Sequence, residues 1–345
     1  MPIRLRIGND DFEFYENGTI TLNYGMATNT FNFNGFYDPT SELYRRVFRP
    51  LQYKPVTIDT LRGERLINGF LTNTSFKSSE KTNVAGISGY SKTGLIQDCT
   101  IPIGQPYQYI GLSLREIAEQ LVQRFNISVV VENDNGLADE EIDEQTAKPS
   151  ETINQFLTRI AAQKNLVISS GLNGELKIAR TIVARESIAT YRDGLPSTSI
   201  SLQIGGQAMF SDITTLQQAD FDSANSGQET VNNPLVNAFR PTTKIQSAGD
   251  FNETLLASQN VRANQLRNIR LIIESDRWEW LNNRRQETIT PDNIVTVISP
   301  RNYINRPTNF FVEQVKLNLT PKKETATLFC VLPEVYNNEA PKIFF

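Results

Sequence analysis

The stretch Gly86-Ile87-Ser88-Gly89-Tyr90-Ser91-Lys92-Thr93-Gly94-Leu95-Ile96-Gln97-Asp98-Cys99-Thr100 decides how this chain is read. Its first half matches a phosphate-binding loop, except that Ser91 stands where that loop has the glycine before its lysine. Such a loop needs a strand before it and a helix after it, so that backbone N–H groups and the helix N-terminus face the phosphate. Val84-Ala85-Gly86-Ile87 supplies the strand. Gly94 follows Thr93 at once and Pro102 comes soon after, which argues against the helix. Gln97-Asp98-Cys99-Thr100 reads as one more strand. The stretch therefore belongs to a β-rich region and is not read as a nucleotide site.

The residues before it agree. Thr19-Ile20-Thr21-Leu22-Asn23-Tyr24 alternates with period two, as a half-buried strand does, behind the turn signal Glu16-Asn17-Gly18. Phe31 and Phe33 alternate with Asn32 and Asn34. Val56-Thr57-Ile58 and Arg65-Leu66-Ile67 read as further strands. Tyr44-Arg45-Arg46-Val47-Phe48 reads as a short helix, and Pro39, Pro50 and Pro55 mark loops. Residues 1–100 are thus read as a β barrel or sandwich.

Residues 101–185 change character. Ser113-Leu114-Arg115-Glu116 is a capping box, and Leu114, Ile117, Ala118, Leu121, Val122 and Phe125 follow at helical spacing. Ser128 to Val131 reads as a strand. A second helix starts near Ser150, with Ile153, Phe156, Leu157, Ile160 and Ala161 on one face. Leu166-Val167-Ile168 and Leu176-Lys177-Ile178 flank the turn Gly171-Leu172-Asn173-Gly174 and read as a hairpin. The acidic stretch Glu132 to Glu144 has asparagines at calcium-loop spacing. Its first ligand position is Val131, however, and its twelfth is Ile142 where a bidentate glutamate is required, so it reads as a solvated loop.

Residues 186–345 are β-rich again. Ser199 to Ile204 alternates. Residues 222–250, rich in Asn, Ser, Gly, Gln and Thr, read as a long exposed loop. Glu253 to Leu266 reads as a helix with Leu255, Leu256 and Leu266 as its apolar contacts. Strands follow at 269–273, 294–298, 310–319 and 325–332. The fold class is mainly β with an α+β insert: two β-barrel or sandwich domains, 1–100 and 186–345, and a small helix-helix-hairpin domain, 101–185.

Composition narrows the chemistry. The chain has 345 residues, of which 39% are hydrophobic and 21% charged, a globular composition. No apolar run approaches the roughly 20 residues of a membrane span. The Met1-Pro2-Ile3-Arg4-Leu5-Arg6 start lacks a signal peptide's apolar stretch, so synthesis and folding in a cytoplasm are expected. Net charge is −4, from 34 basic and 38 acidic residues, which carries no footprint of nucleic-acid binding. Cys99 and Cys330 lie far apart in the sequence and read as buried, reduced thiols.

There is no histidine. That removes the usual proton carrier near neutral pH, the Ser-His-Asp and Cys-His sites, and every zinc site that needs histidine. Catalytic residues, cofactors and metals are therefore expected to be none. Carboxylate pairs, as in glycosidases, stay open, but 38 acidic residues make any chosen pair unspecific. Trp278 and Trp280 flank Glu279 beside Asn282, Asn283, Arg284 and Arg285. A sugar platform uses such aromatics, yet strand residues packed in a core or at a subunit interface fit the same pattern.

The run Ser91 to Thr100 resembles the Mu-like baseplate hub proteins of contractile-tailed phages (the tail protein P family), in which a Gly-x-Ser-Lys-Thr, Leu-x-Asp-Cys stretch closes the first β domain. Val56-Thr57-Ile58 and Gly69-Phe70-Leu71 resemble the family's preceding strand pair. Phe210-Ser211-Asp212-Ile213-Thr214 is similar to its Phe-Ser-x-Tyr segment. Arg262-Ala263-Asn264 and Arg277-Trp278-Glu279-Trp280 resemble its Arg-Ala helix and Gly-Trp-Arg turn, with Asp276 where the glycine usually stands. Pro291 to Val297 resembles a Pro-Asn-x-Leu-Val-x-Val strand. Leu328 to Pro333 with Val335-Tyr336 resembles the C-terminal ending, Tyr336 replacing a Phe. The 222–250 segment has no counterpart.

The resemblance implies a non-enzymatic virion protein of the tail baseplate, assembled in the host cytoplasm, with a relative in the type VI secretion spike base. It implies two β domains similar to tail-tube subunits. Three chains then form a homotrimer with a pseudo-sixfold ring, which binds a tail tube or tube-initiator protein above, a trimeric spike below and baseplate wedge proteins around it. DNA passes through without specific binding. Trp278, Trp280, Arg284, Arg285, Arg45 and Arg46 are the expected interface residues. The alternatives are a carboxylate-based cell-wall hydrolase at the tail tip and a carbohydrate-binding module.

Overall fold

A computed structural model describes residues 3–13, 15–78, 83–217, 227–246, 254–281 and 287–345. The chain forms two compact units. The first comprises Met1–Arg180, Asp276–Trp278 and Gln314–Thr327; the second comprises Thr181–Ser275, Glu279–Glu313 and Leu328–Phe345.

The first unit opens with strands β1 (Ile3–Ile7), β2 (Asp10–Phe12), β3 (Tyr15–Asn23) and β4 (Thr30–Phe36), the short helix α1 (Glu42–Val47), and strands β5 (Pro55–Thr60), β6 (Arg65–Ser78) and β7 (Asn83–Ser91). Their spatial order is β3-β4-β7-β6-β5-β1-β2, and every pairing is antiparallel. Alternation builds the layer: Ile3, Leu5 and Ile7 point inward while Arg4 and Arg6 face water. Phe31 and Phe33 are buried on β4 in the same way, each side chain contributing about 1.5–3 kcal/mol of burial. Gly69 and Ser91 are paired across β6 and β7, and a Cβ at Gly69 would run into the Tyr90 carbonyl.

The insert follows as α2 (Leu95–Asp98), β8 (Gln108–Ser113), α3 (Leu114–Val122), β9 (Val129–Glu132), β10 (Glu141–Thr146), α4 (Ile153–Gln163), β11 (Val167–Ser170) and β12 (Leu176–Ala179). Two capping boxes start its main helices: Ser113 with Glu116, and Thr152 with Gln155. The apolar faces of α3 and α4 form one core with Ile168, Leu176 and Ile178. The β11–β12 hairpin turns at Gly174, whose φ of +89° suits glycine. β9 adds in parallel to β12, and β8 pairs with β10 as a separate two-stranded sheet.

The second unit holds β13 (Ala189–Arg192), β14 (Thr198–Ile204), β15 (Asp212–Gln217), β16 (Gln228–Asn232), β17 (Pro241–Gln246), α5 (Thr254–Leu266), β18 (Ile269–Ser275) and β19 (Asn293–Ser299). β14 runs antiparallel to β18, β13 parallel to β19, and β15 lies between β16 and β17. β20 (Ile304–Leu319) pairs with β19 through its first half and, in the first unit, with β3 through residues 314–319. β21 (Glu324–Val331) and the one-turn α6 (Glu334–Asn337) end the chain.

The fold class is as expected, mainly β with the helical insert, and several local readings are corrected. Gln97 to Thr100 is not a strand: a 3-10 turn at Lys92–Gly94 runs into α2, so helical structure does follow Gly94. Residues 222–250 are not one loop, because 228–232 and 241–246 are the polar strands β16 and β17, held by backbone pairing to β15. The acidic segment is a turn only through its middle, with β9 ending at Glu132 and β10 beginning at Glu141. On α5 the buried set is Ala257, Ser258, Arg262, Ala263, Gln265 and Leu266, and Leu255 is exposed. Cys330 is buried as expected, Cys99 only half-buried; both are free thiols.

Candidate interaction surfaces

The Ser-Lys-Thr triplet is a fastener. β7 extends through Ser91, so the backbone from Gly86 to Ser91 runs as a sheet strand and does not form an open phosphate loop. Ser91, Thr93 and Ser170 form a buried ring of hydroxyls, with Oγ–Oγ distances of 3.0 Å for Ser91 and Thr93, 2.7 Å for Thr93 and Ser170, and 2.9 Å for Ser170 and Ser91. Asn29 N–H donates to Ser91 Oγ at 3.0 Å, and Gly25 N–H to Ser169 Oγ at 3.0 Å. Lys92 Nζ donates to the Asn126 carbonyl at 3.1 Å and Asn68 Nδ2 to that of Asn173 at 2.7 Å. The bonds to Ser169, Ser170, Asn126 and Asn173 tie the β strands to the insert.

Trp278 and Trp280 are 6% and 4% exposed. Trp278 Nε1 donates to the carbonyls of Asn318 at 3.3 Å and Thr325 at 3.0 Å within the first unit. Trp280 N–H, in the second unit, donates to the Glu287 carbonyl at 3.4 Å. Neither ring presents a face to solvent, so a sugar platform there is not supported by the geometry. Arg284 and Arg285 lie outside the described residues. Arg46 forks onto Asp10, with Nη2 to Oδ1 at 2.7 Å and Nε to Oδ2 at 3.2 Å, an exposed pair worth about 0–1 kcal/mol. Arg45 is exposed.

Sequence reasoning missed two surfaces. The loop after α1 places Leu51 at φ 58° and Tyr53 at φ 44°, and leaves Leu51 78% exposed. Large side chains avoid that backbone region, which costs of order 1–3 kcal/mol per residue. The second surface is the β8–β10 pair, where Glu141 and Asp143 are exposed on β10 and Ile110 is exposed on β8. Its apolar signal was legible in Ile103, Tyr107 and Ile110, but the pairing that gathers it was not.

The strongly raised tyrosine and cysteine groups follow burial. Burial, then the nearby Glu313, pushes the Tyr336 hydroxyl up, and burial does the same to the Cys330 thiol. Glu313 accepts from Tyr336 at 2.7 Å and is paired with Arg267, which also lies 5.2 Å from the Tyr336 ring centre. That network sits inside the second unit and fixes β20 against α6.

Residues 93–180 match the second domain of the gp44-like baseplate hub proteins. The match begins at Thr93, in the hydroxyl ring, and spans the whole insert. No curated protein matches the sequence. Among solved structures, the fold is similar to the 43 kDa tail protein of prophage MuSo2 from Shewanella oneidensis, at a TM-score of 0.85 and 19% identity, covering 97% of this chain and 100% of that one. A tail protein from Neisseria meningitidis MC58 gives a TM-score of 0.78 at 18% identity, over 98% of each chain. The Escherichia coli c3393 protein, a type VI secretion component described as similar to T4 tail proteins gp27 and gp5, gives 0.56 at 9% identity, over 99% of this chain and 80% of that one. The hub resemblance carried by the sequence motifs is thus met by a hub family model across the insert and by a tail-protein fold across the full length.

Proposed function

We propose that this chain is a structural hub subunit of a contractile-tail baseplate or of a related injection system. The match of residues 93–180 to a hub domain, set within a full-length tail-protein fold, carries the reading. The role is architectural and non-enzymatic. A histidine-free chain whose strongly shifted tyrosine and cysteine groups owe it to burial is suited to rigidity, not proton transfer.

In this reading three copies form a ring. A tail tube or its initiator docks above, a trimeric spike below and wedge proteins around it, and genome passes through the centre of a virion baseplate first assembled in the host cytoplasm. Edge strands favour it, since β2 and the β8–β10 pair end their sheets and need a partner, a bulge or charge to protect them. Permanent interfaces of this kind bury more than about 2,000 Å². The test is solution mass by light scattering under native conditions. Three chains per particle are expected; a monomer at about 10 µM overturns the ring, since an obligate interface is far tighter than that.

A further inference from the structure

Two segments of the first unit carry surfaces of opposite charge and shared apolar character. The first runs from Arg45 to Tyr53. Arg45 and Arg49 are exposed and have no acidic partner among the described residues, while Leu51 and Tyr53 project at positive φ between Pro50 and Pro55. Lys54 Nζ donates to the Arg46 carbonyl and ties the end of the loop to the helix. The loop holds a sparsely populated backbone conformation and leaves Leu51 78% and Tyr53 54% exposed, apolar surface that its own chain does not cover. A partner that covers them removes that apolar surface from water.

The second segment is the β8–β10 pair and its approach. Ile103 is 96% exposed, and Tyr107 and Ile110 stand beside it in sequence. Glu141 and Asp143, two residues apart on one side of β10, have no cationic partner among the described residues. Glu140 just before them is different, since Lys164 holds its carboxylate at 3.0 Å. Ala147 N–H donates to the Tyr107 carbonyl at 2.8 Å and Gln108 Nε2 to Glu144 at 2.8 Å, which places the apolar approach against the acidic strand.

We propose that the Arg45–Tyr53 segment of one copy docks on the acidic β8–β10 surface of the next copy, an assignment that rests on the ring reading above. Each patch carries charge of one sign, so an isologous contact of either patch with itself repels. Opposite patches attract, and a contact between two different patches is heterologous: it propagates head to tail and closes into a ring when the rotation allows. Arg45 and Arg49 face Glu141 and Asp143, while Leu51 and Tyr53 cover Ile103, Tyr107 and Ile110.

The experiment is a charge swap in the full chain, read by solution mass, with circular dichroism and thermal melting to verify folding. Arg45→Glu with Arg49→Glu is expected to weaken self-association by at least about 100-fold, as like charges across an interface do. Glu141→Lys with Asp143→Lys is expected to do the same. The fourfold variant, which restores opposite signs, is expected to return to the wild-type mass. If either charge-reversed pair melts abnormally, the neutral pair Arg45→Gln with Arg49→Gln replaces it, with the same direction expected. A wild-type trimer that survives both reversals overturns this interface and leaves the ring reading standing. A fourfold variant that stays monomeric overturns the pairing of these two patches. A monomeric wild type overturns both readings together.

Discussion

Thr93 Oγ1 donates to Ser170 Oγ at 2.7 Å, and through that bond the last turn of the β layer grips the hairpin of the helical insert. Both residues are buried, so neither hydroxyl has water to fall back on. Thr93→Val keeps the shape and removes the donor, leaving Ser91 and Ser170 each short of a partner. A loss of about 1–3 kcal/mol is expected, with Thr93→Ser keeping most of it. Urea unfolding of the three proteins checks this; equal midpoints for Thr93→Val and wild type would show the ring to be idle.

Trp278 offers a cleaner separation of packing from hydrogen bonding. Its Nε1 serves the carbonyls of Asn318 and Thr325, which lie either side of the turn between β20 and β21. Trp278→Phe retains an aromatic ring and strands those carbonyls, for an expected cost of about 1–3 kcal/mol. Trp278→Ala adds a cavity and should cost about 3–5 kcal/mol. Thermal melting ranks the two, and a phenylalanine variant as damaging as the alanine one would contradict the division.

Glu334 sets a pH dependence of unusual sign for a carboxylate. Burial, the largest influence, raises its pKa above the ordinary 4.5, although Lys342 and backbone N–H groups pull the other way. The folded state therefore binds this proton more tightly than the unfolded chain does. The group stabilises the fold below pH 4.5, and that contribution is lost as pH rises from there through the folded value. Glu334→Gln removes the ionisation and keeps an acceptor oxygen. It should melt higher than wild type at neutral pH, with the two curves converging in acid. A variant less stable at pH 7 would reverse the assignment.

What could be read from the sequence, and what could not, follows from contrast. Capping boxes are local and polar against apolar, so Ser113 with Glu116 marked its helix without tertiary help. β4 was legible because Phe31 and Phe33 alternate with asparagine. β16 and β17 were not, since Gln-Glu-Thr-Val-Asn and Pro-Thr-Thr-Lys-Ile-Gln hold a single large apolar residue each and owe their strand state to pairing with β15. β10 is similar, an acidic strand fixed by β8. The resemblance to hub proteins pointed to the Ser91–Thr100 run as a family signature, but the use of Ser91 and Thr93 as a clamp needed Ser170, 77 residues after Thr93, to be in place. Strain at Leu51 and Tyr53 has no sequence signal at all.

The last expectation concerns nucleic acid. A hub that lets genome pass must not hold it, and retention by a basic wall grows with every phosphate neutralised and counterion released. Each chain carries −4, so three carry 3 × (−4) = −12, the sign for weak repulsion. Total charge does not place the residues, and Arg45, one of the expected interface arginines, is assigned above with its neighbour Arg49 to subunit contacts, where assembly would neutralise them. Assembled protein at about 10 µM should therefore leave duplex DNA free at roughly physiological salt, because non-specific binding requires many phosphates to be neutralised and the assembly's net charge is negative. Lowering the salt should produce little retention. The charge-reversed Glu141→Lys with Asp143→Lys variant exposes four unpaired lysines and arginines per chain and should gain salt-sensitive binding. Tight, salt-sensitive DNA binding by the wild-type assembly would rule out a non-adhesive channel, and absence of any gain in the variant would show that those surfaces stay covered for another reason.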